Sequence, residues 1–170
     1  MYLIKRTVGK EFKVKVKFEK VVEDLLMVSL TNQTKYNGIL SYWRLVNVSG
    51  IPPLEIGIDC ESRCLASINF YIDVSYIDEH RINEVQAQRG SVLVDTSIFS
   101  KTNDYVDVDK SYMIYIQNNK LICLFETNSI IAQSYRTDRL EVYLDSKNNI
   151  LGFAICDLSV QERKILKSLH

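Results

Sequence analysis

The sequence predicts an α+β, strand-dominated fold, with antiparallel sheets built from β-hairpins and one amphipathic helix at the C-terminus. Three observations carry that expectation. Short runs rich in β-branched and aromatic residues recur along the 170 residues, separated by polar or turn-forming residues. One of them, "EFKVKVKFEK", alternates with a strict period of two. Only the last dozen residues change to a helical period.

In that first strand Phe12, Val14, Val16 and Phe18 form a greasy side, while Lys13, Lys15 and Lys17 form a basic one. Further strands are expected at "DLLMVSL", "LEIGID", "CLASINFYIDV", "SVLVD", "YMIYIQ", "KLICLFE", "RLEVYLD" and "ILGFAIC". Asn118-Asn119 reads as a tight hairpin, because asparagine tolerates the positive φ that two-residue turns require. "SKNN" joins the last two strands in the same spirit. "TKYNGILSYWRLV" and "SIIAQSYR" lack clean alternation and are equally compatible with a short helix each. At the end, Ser159 is placed to cap a helix and Glu162 to complete a capping box, with Ile165, Leu166 and Leu169 on one face.

Length and composition fit one compact domain over 1–170, or two packed pseudo-repeats of about 1–85 and 86–170. Apolar residues at 46%, with only 6 Gly and 2 Pro, leave no room for long linkers. Self-comparison is the argument for repeats. "LEIGIDCESRCLASI" from Leu54 lies over "LEVYLDSKNNILGFA" from Leu140, an offset of 86 residues, and "LMVSLTN" from Leu26 lies over "YMIYIQN" from Tyr112 at the same offset. Duplication and chance similarity between hairpins both account for it.

Lysine plus arginine equals aspartate plus glutamate at 21 each, so no global field draws the chain to nucleic acid. "MYLIKRTVGK" has no secretory core, and no apolar run reaches the ~18 residues of a membrane span. The expectation is a cytoplasmic protein without nucleic-acid or membrane partners, and with reduced thiols at Cys60, Cys64, Cys123 and Cys156. Sequons at Asn32 and Asn47 matter only in a glycosylating compartment. No metal or other cofactor is implied. Cys60 and Cys64 are close enough in sequence to oxidise together, but a metal site needs two more ligands, and His80 and His170 show no ligand spacing.

Several stretches offer surface chemistry. The Lys13, Lys15, Lys17 comb would grip an anionic partner or, on an exposed edge, discourage aggregation. "NDYVDVDK" sets Asp104, Asp107 and Asp109 in an acidic run that lacks a calcium-loop pattern and suits a solvated strand or docking surface. "SYWRL" groups Tyr42, Trp43 and Arg44, residue types common at binding hot spots, although a lone tryptophan also suits a core. Asp78, Glu79 and His80 are adjacent, and adjacent residues do not converge as acid/base catalysis requires. Phosphate loops, nucleophile elbows and Cys-x-x-Cys motifs are missing from the sequence.

The theme "LEIGID…INF" and "LEVYLD…ILGFAI", ending in "DLSVQERKIL", resembles small bacterial immunity proteins of polymorphic or contact-dependent toxin systems. The resemblance implies a protein that neutralises a toxin domain by covering its active site. Beside it, a neutral chain with patches of opposite sign is equipped for electrostatic docking to a protein. The sequence therefore predicts a non-enzymatic protein-binding module. Its alternatives are an enzyme using carboxylates such as Glu55, Asp59 or Asp145 between two halves, and a homo-oligomeric component joined through spare strand edges.

Overall fold

The computed structural model describes residues 4–7, 11–36, 38–46, 50–73, 77–78, 80–101, 104–125 and 127–169. Two sheets account for nearly all of it. The first half of the chain supplies β1 (Ile4–Thr7), β2 (Val14–Val22), β3 (Leu25–Asn32), β4 (Leu40–Val46), β5 (Leu54–Asp59) and β6 (Leu65–Ile72). Then come β7 (Ile77–Asp78), β8 (Gln88–Arg89), β9 (Ser91–Val94), β10 (Tyr105–Asp109), β11 (Met113–Gln117) and β12 (Lys120–Leu124). The chain ends with β13 (Gln133–Thr137), β14 (Leu140–Leu144), β15 (Ile150–Ile155) and α1 (Val160–Lys167).

One sheet has six strands in the order β10-β4-β5-β6-β3-β2, and the other seven in the order β7-β11-β12-β15-β14-β13-β8. β1 and β9 form a separate antiparallel pair. Within the two large sheets five strands repeat one topology. The order β4-β5-β6-β3-β2 corresponds to β13-β14-β15-β12-β11, and every pair inside each set is antiparallel. A parallel strand is added beside β4, by β10, and beside β13, by β8. The Leu54/Leu140 overlay falls on topologically matching strands, β5 and β14. The Leu26/Tyr112 overlay sets β3 on β11, whereas the matching position is that of β12.

The sheets pack face to face across one apolar core. Alternate residues supply it: Leu26, Val28 and Leu30 from β3 and Ile68, Phe70 and Ile72 from β6 meet Leu121 and Cys123 from β12 and Phe153 and Ile155 from β15. Phe70 stands edge-on to Phe153 at 5.4 Å between ring centroids. At one end α1 inserts Leu166 into this core, and Leu169, just past the end of the helix, joins it. It starts on the predicted capping box, with the Ser159 Oγ accepting from the Glu162 N–H at 3.2 Å and the Ser159 N–H donating to Glu162 Oε2 at 2.8 Å. Arg139, in the turn before β14, grips the same Glu162 carboxylate through two nitrogens at 3.1 and 2.8 Å.

Asn118 and Asn119 both have positive φ, as the hairpin reading requires. Neither stretch that left room for a helix forms one. Thr34–Val46 yields β4 and Ser129–Arg136 leads into β13, because Trp43, Leu45 and Tyr135 reach the core only from extended backbone. Among the described residues no helix is long and apolar enough to cross a membrane. Asn47, Glu79 and His170 lie outside the described residues.

The two outer faces differ. Over the seven-stranded sheet residues 80–87 run from β7 at one edge to β8 at the other. Six strand spacings of about 4.8 Å make roughly 29 Å, close to the reach of ten extended residues. Ile82 and Val85 of this strap cover Tyr115, Ile122, Leu124, Tyr143, Leu151 and Ala154. On the outer face of the six-stranded sheet Lys15, Lys17, Thr31, Tyr105 and Asp107 are exposed, and no apolar cluster like the one beneath the strap forms there among the described residues.

Candidate protein-binding face

On the six-stranded sheet the outward residues lie in rows fixed by the strand register. One row reads Lys17, Ser29, Asn69, Glu55, Arg44, Asp107, one residue from each strand in spatial order. The next reads Lys15, Thr31, Ser67, Gly57, Tyr42, Tyr105. Two-residue periodicity makes this face: the partners of these residues along each strand, such as Val14, Val28, Ile56 and Leu45, are buried between the sheets.

Lysines therefore stand at the β2 edge and aspartates at the β10 edge. Lys15 and Lys17 are exposed, and Lys17 contacts Glu19 two residues along at 2.6 Å. Lys13 precedes β2, with its side chain 81% exposed and its amine 3.9 Å from Asp138. At the far edge Arg44 binds Asp107 through Nε at 2.7 Å and Nη2 at 2.8 Å. That bidentate bond raises the Arg44 pKa. Its Cζ also lies 4.8 Å from the centre of the Tyr105 ring, and Tyr105 stacks on Tyr42 at 5.2 Å. Gly57 makes room for this arrangement, because a Cβ there would stand 2.4 Å from Ser67 Oγ and 3.2 Å from Tyr42 Cε1.

The register thus brings Lys15, Lys17, Tyr42, Arg44, Asp107 and Asp109 to one face. Three of the predicted residues are placed otherwise: Lys13 lies before β2 beside Asp138 of the other sheet, and Trp43 and Asp104 also leave the face. Trp43 points inward, is 3% exposed and packs edge-on to Phe125 at 5.3 Å, so the outward aromatics of this region are the exposed Tyr105 and the half-buried Tyr42. Asp104 spends its carboxylate on its own loop, accepting from the Ser100 N–H at 2.9 Å and hydroxyl at 2.8 Å, and these bonds lower its pKa.

The carboxylates of the enzyme alternative do not meet in a cleft, since an apolar core fills the space between the sheets. Glu55 lies on the outer face. Asp59 is buried and accepts the Ser62 N–H at 2.9 Å, and Asp145 accepts N–H groups of Lys147 and Asn149, each at 2.8 Å, in its own turn. A cavity of 640 Å³ is lined by Glu11, Lys13, Arg89, Arg136 and Asp138 with Phe12 and Ala87, and contains none of the three. His80 bonds Asp78 at 2.6 Å on an exposed turn. All four thiols are free, and burial raises the pKa of Cys123 and pushes that of Cys156 up to about 12. Among the described residues no three His, Cys, Asp or Glu side chains are grouped to hold a metal ion.

Sequence reasoning missed the polar cluster beneath the strap. Glu84 ion-pairs with Lys120 and accepts from the Tyr143 hydroxyl at 3.1 Å, Gln117 at 3.0 Å and Asn118 at 3.1 Å. Lys120 also lies 2.9 Å from Glu141, which is 1% exposed and accepts from the Cys156 thiol at 3.4 Å. Burial raises the Glu84 pKa, but the bonds and charge of Lys120 outweigh it and the net shift is downward. "INEVQ" carries no periodic signal, and only its contact with distant strands gives Glu84 this place. No protein-family model matches the sequence, and no curated protein matches it.

Proposed function

We propose that this protein is a non-enzymatic protein-binding module whose docking surface is the outer face of the six-stranded sheet. One observation carries the reading. Two sheets of shared topology treat their outer faces oppositely, with an apolar patch under a strap on one and, on the other, exposed lysines, Tyr105 and Asp107 beside half-buried Tyr42 and Arg44. Opposite charges at the two edges favour one orientation of a partner and speed its approach, while Tyr42 and Tyr105 offer rigid contact area. Toxin neutralisation is the particular activity that the sequence resemblance adds, and it requires only that a toxin domain be covered.

The test is quantitative capture from cells that encode the protein. The immobilised chain is compared with a Lys15→Glu, Lys17→Glu, Tyr42→Ala variant and with a Gln86→Lys control on the strap. A single stoichiometric partner that is retained by the control and lost from the face variant is the expected result. Equal retention by all three chains would place binding elsewhere and end this reading.

A further inference from the structure

The face contains a recess. Met27, Ser29, Pro52, Pro53, Glu55, Asn69 and Tyr71 line a depression of 400 Å³ on the outer side of β3, β6 and β5. Resting on the binding-face reading above, we infer that this recess takes an arginine side chain projected by the protein partner.

Among the described residues Glu55 is the only ionised one in the lining. Its nearest cation, Arg44, lies 3.8 Å from Oε1 and spends its better-placed nitrogens on Asp107, leaving the carboxylate weakly countered. Hydrogen-bonding capacity points the same way. Ser29, Asn69 and Glu55 are neighbours in one register row, spaced by about 4.8 Å per strand. The side chains of Ser29 and Asn69 make no hydrogen bond to the described residues. Three adjacent oxygen-bearing groups suit the planar fork of a guanidinium, which has five N–H donors, better than a point charge. Tyr71 and the Pro52-Pro53 pair add flat apolar surface on which the side-chain stem and the guanidinium plane can lie.

The experiment titrates the 15N-labelled full chain with N-acetyl-arginine amide, N-acetyl-lysine amide and N-acetyl-citrulline amide, the last being a neutral isostere. Saturable shifts at Ser29, Asn69 and Tyr71 are expected with the arginine probe and not with citrulline. Glu55→Gln should weaken that response by about fivefold, the scale of a part-exposed ion pair. Equal responses to lysine or citrulline, no saturable shift at these residues, or indifference to Glu55→Gln would overturn the assignment. The captured partner separates the two readings. If it is lost from the Lys15→Glu, Lys17→Glu, Tyr42→Ala chain yet binds Glu55→Gln with undiminished affinity, the face stands and the arginine inference falls.

Discussion

Glu55 and Glu141 each follow a leucine at the start of topologically equivalent strands, and their surroundings could hardly differ more. Glu55 stands on an open face with its side chain 32% exposed and a loose contact to Arg44. Glu141 is 1% exposed beneath the strap, 2.9 Å from Lys120. The same dipeptide is thus a surface charge on one sheet and part of a buried ionic network on the other. A covered sheet face and an open one are distinguished by what crosses them, not by the strands themselves.

Removing the hub of the buried network should produce the largest effect. Lys120→Ala leaves Glu84 and Glu141 facing each other without their shared cation, and should cost about 3–4 kcal/mol in urea denaturation. A loss below ~1 kcal/mol would mean that the strap lets water reach both acids. The two sheet glycines sharpen the contrast. At Gly152 a Cβ would sit 2.1 Å from the Cys123 carbonyl oxygen, where backbone must move, so Gly152→Ala should cost about 3 kcal/mol. At Gly57 the closest atom is the hydroxyl of Ser67, which can rotate, and Gly57→Ala should cost only about 1 kcal/mol.

Acid separates the two faces next. Glu84 has a lowered pKa in the folded chain. Its contribution is therefore present above the unfolded value of about 4.3 and disappears as pH falls through the lower folded value. Wild type and Glu84→Gln should differ by about 1–2 kcal/mol at pH 7 and converge toward pH 3. A constant gap across that range would show that the carboxylate charge is not what fastens the strap. The smallest effect belongs to the open face. Lys15→Glu with Lys17→Glu should change stability by less than ~0.5 kcal/mol, because both side chains are solvated.

Local signals were legible where a side chain's direction follows from its neighbours in sequence. Period-two alternation located β2, runs rich in β-branched and aromatic residues between turn residues located β3, β5 and β6, and the Ser159/Glu162 spacing located α1. β4 and β13 were obscured because Tyr42, Arg44 and Gln133 alternate with Trp43, Leu45 and Ser134 without a clean polar-apolar contrast. The lysine and aspartate runs were recognisable as surface charge, but their meeting on one face depends on β10 joining β4 across 63 residues. That is a property of register between distant strands. The strap was illegible for the same reason. Ile82, Glu84 and Val85 have no period of their own and acquire their roles from Tyr143, Lys120 and Ile122.

The parallel pairing of β10 with β4 also matters to a chain still being made. A ribosome will have released β2 through β6 before Asp109 emerges, so the first sheet waits with the β4 flank unpaired while the 37 residues from Asp73 to Asp109 are polymerised. At synthesis rates of about 5–20 residues per second that interval lasts seconds. During that time the β4 flank, which carries Tyr42 and Arg44, is a second free edge beside that of β2, open to a holding chaperone or to another nascent copy.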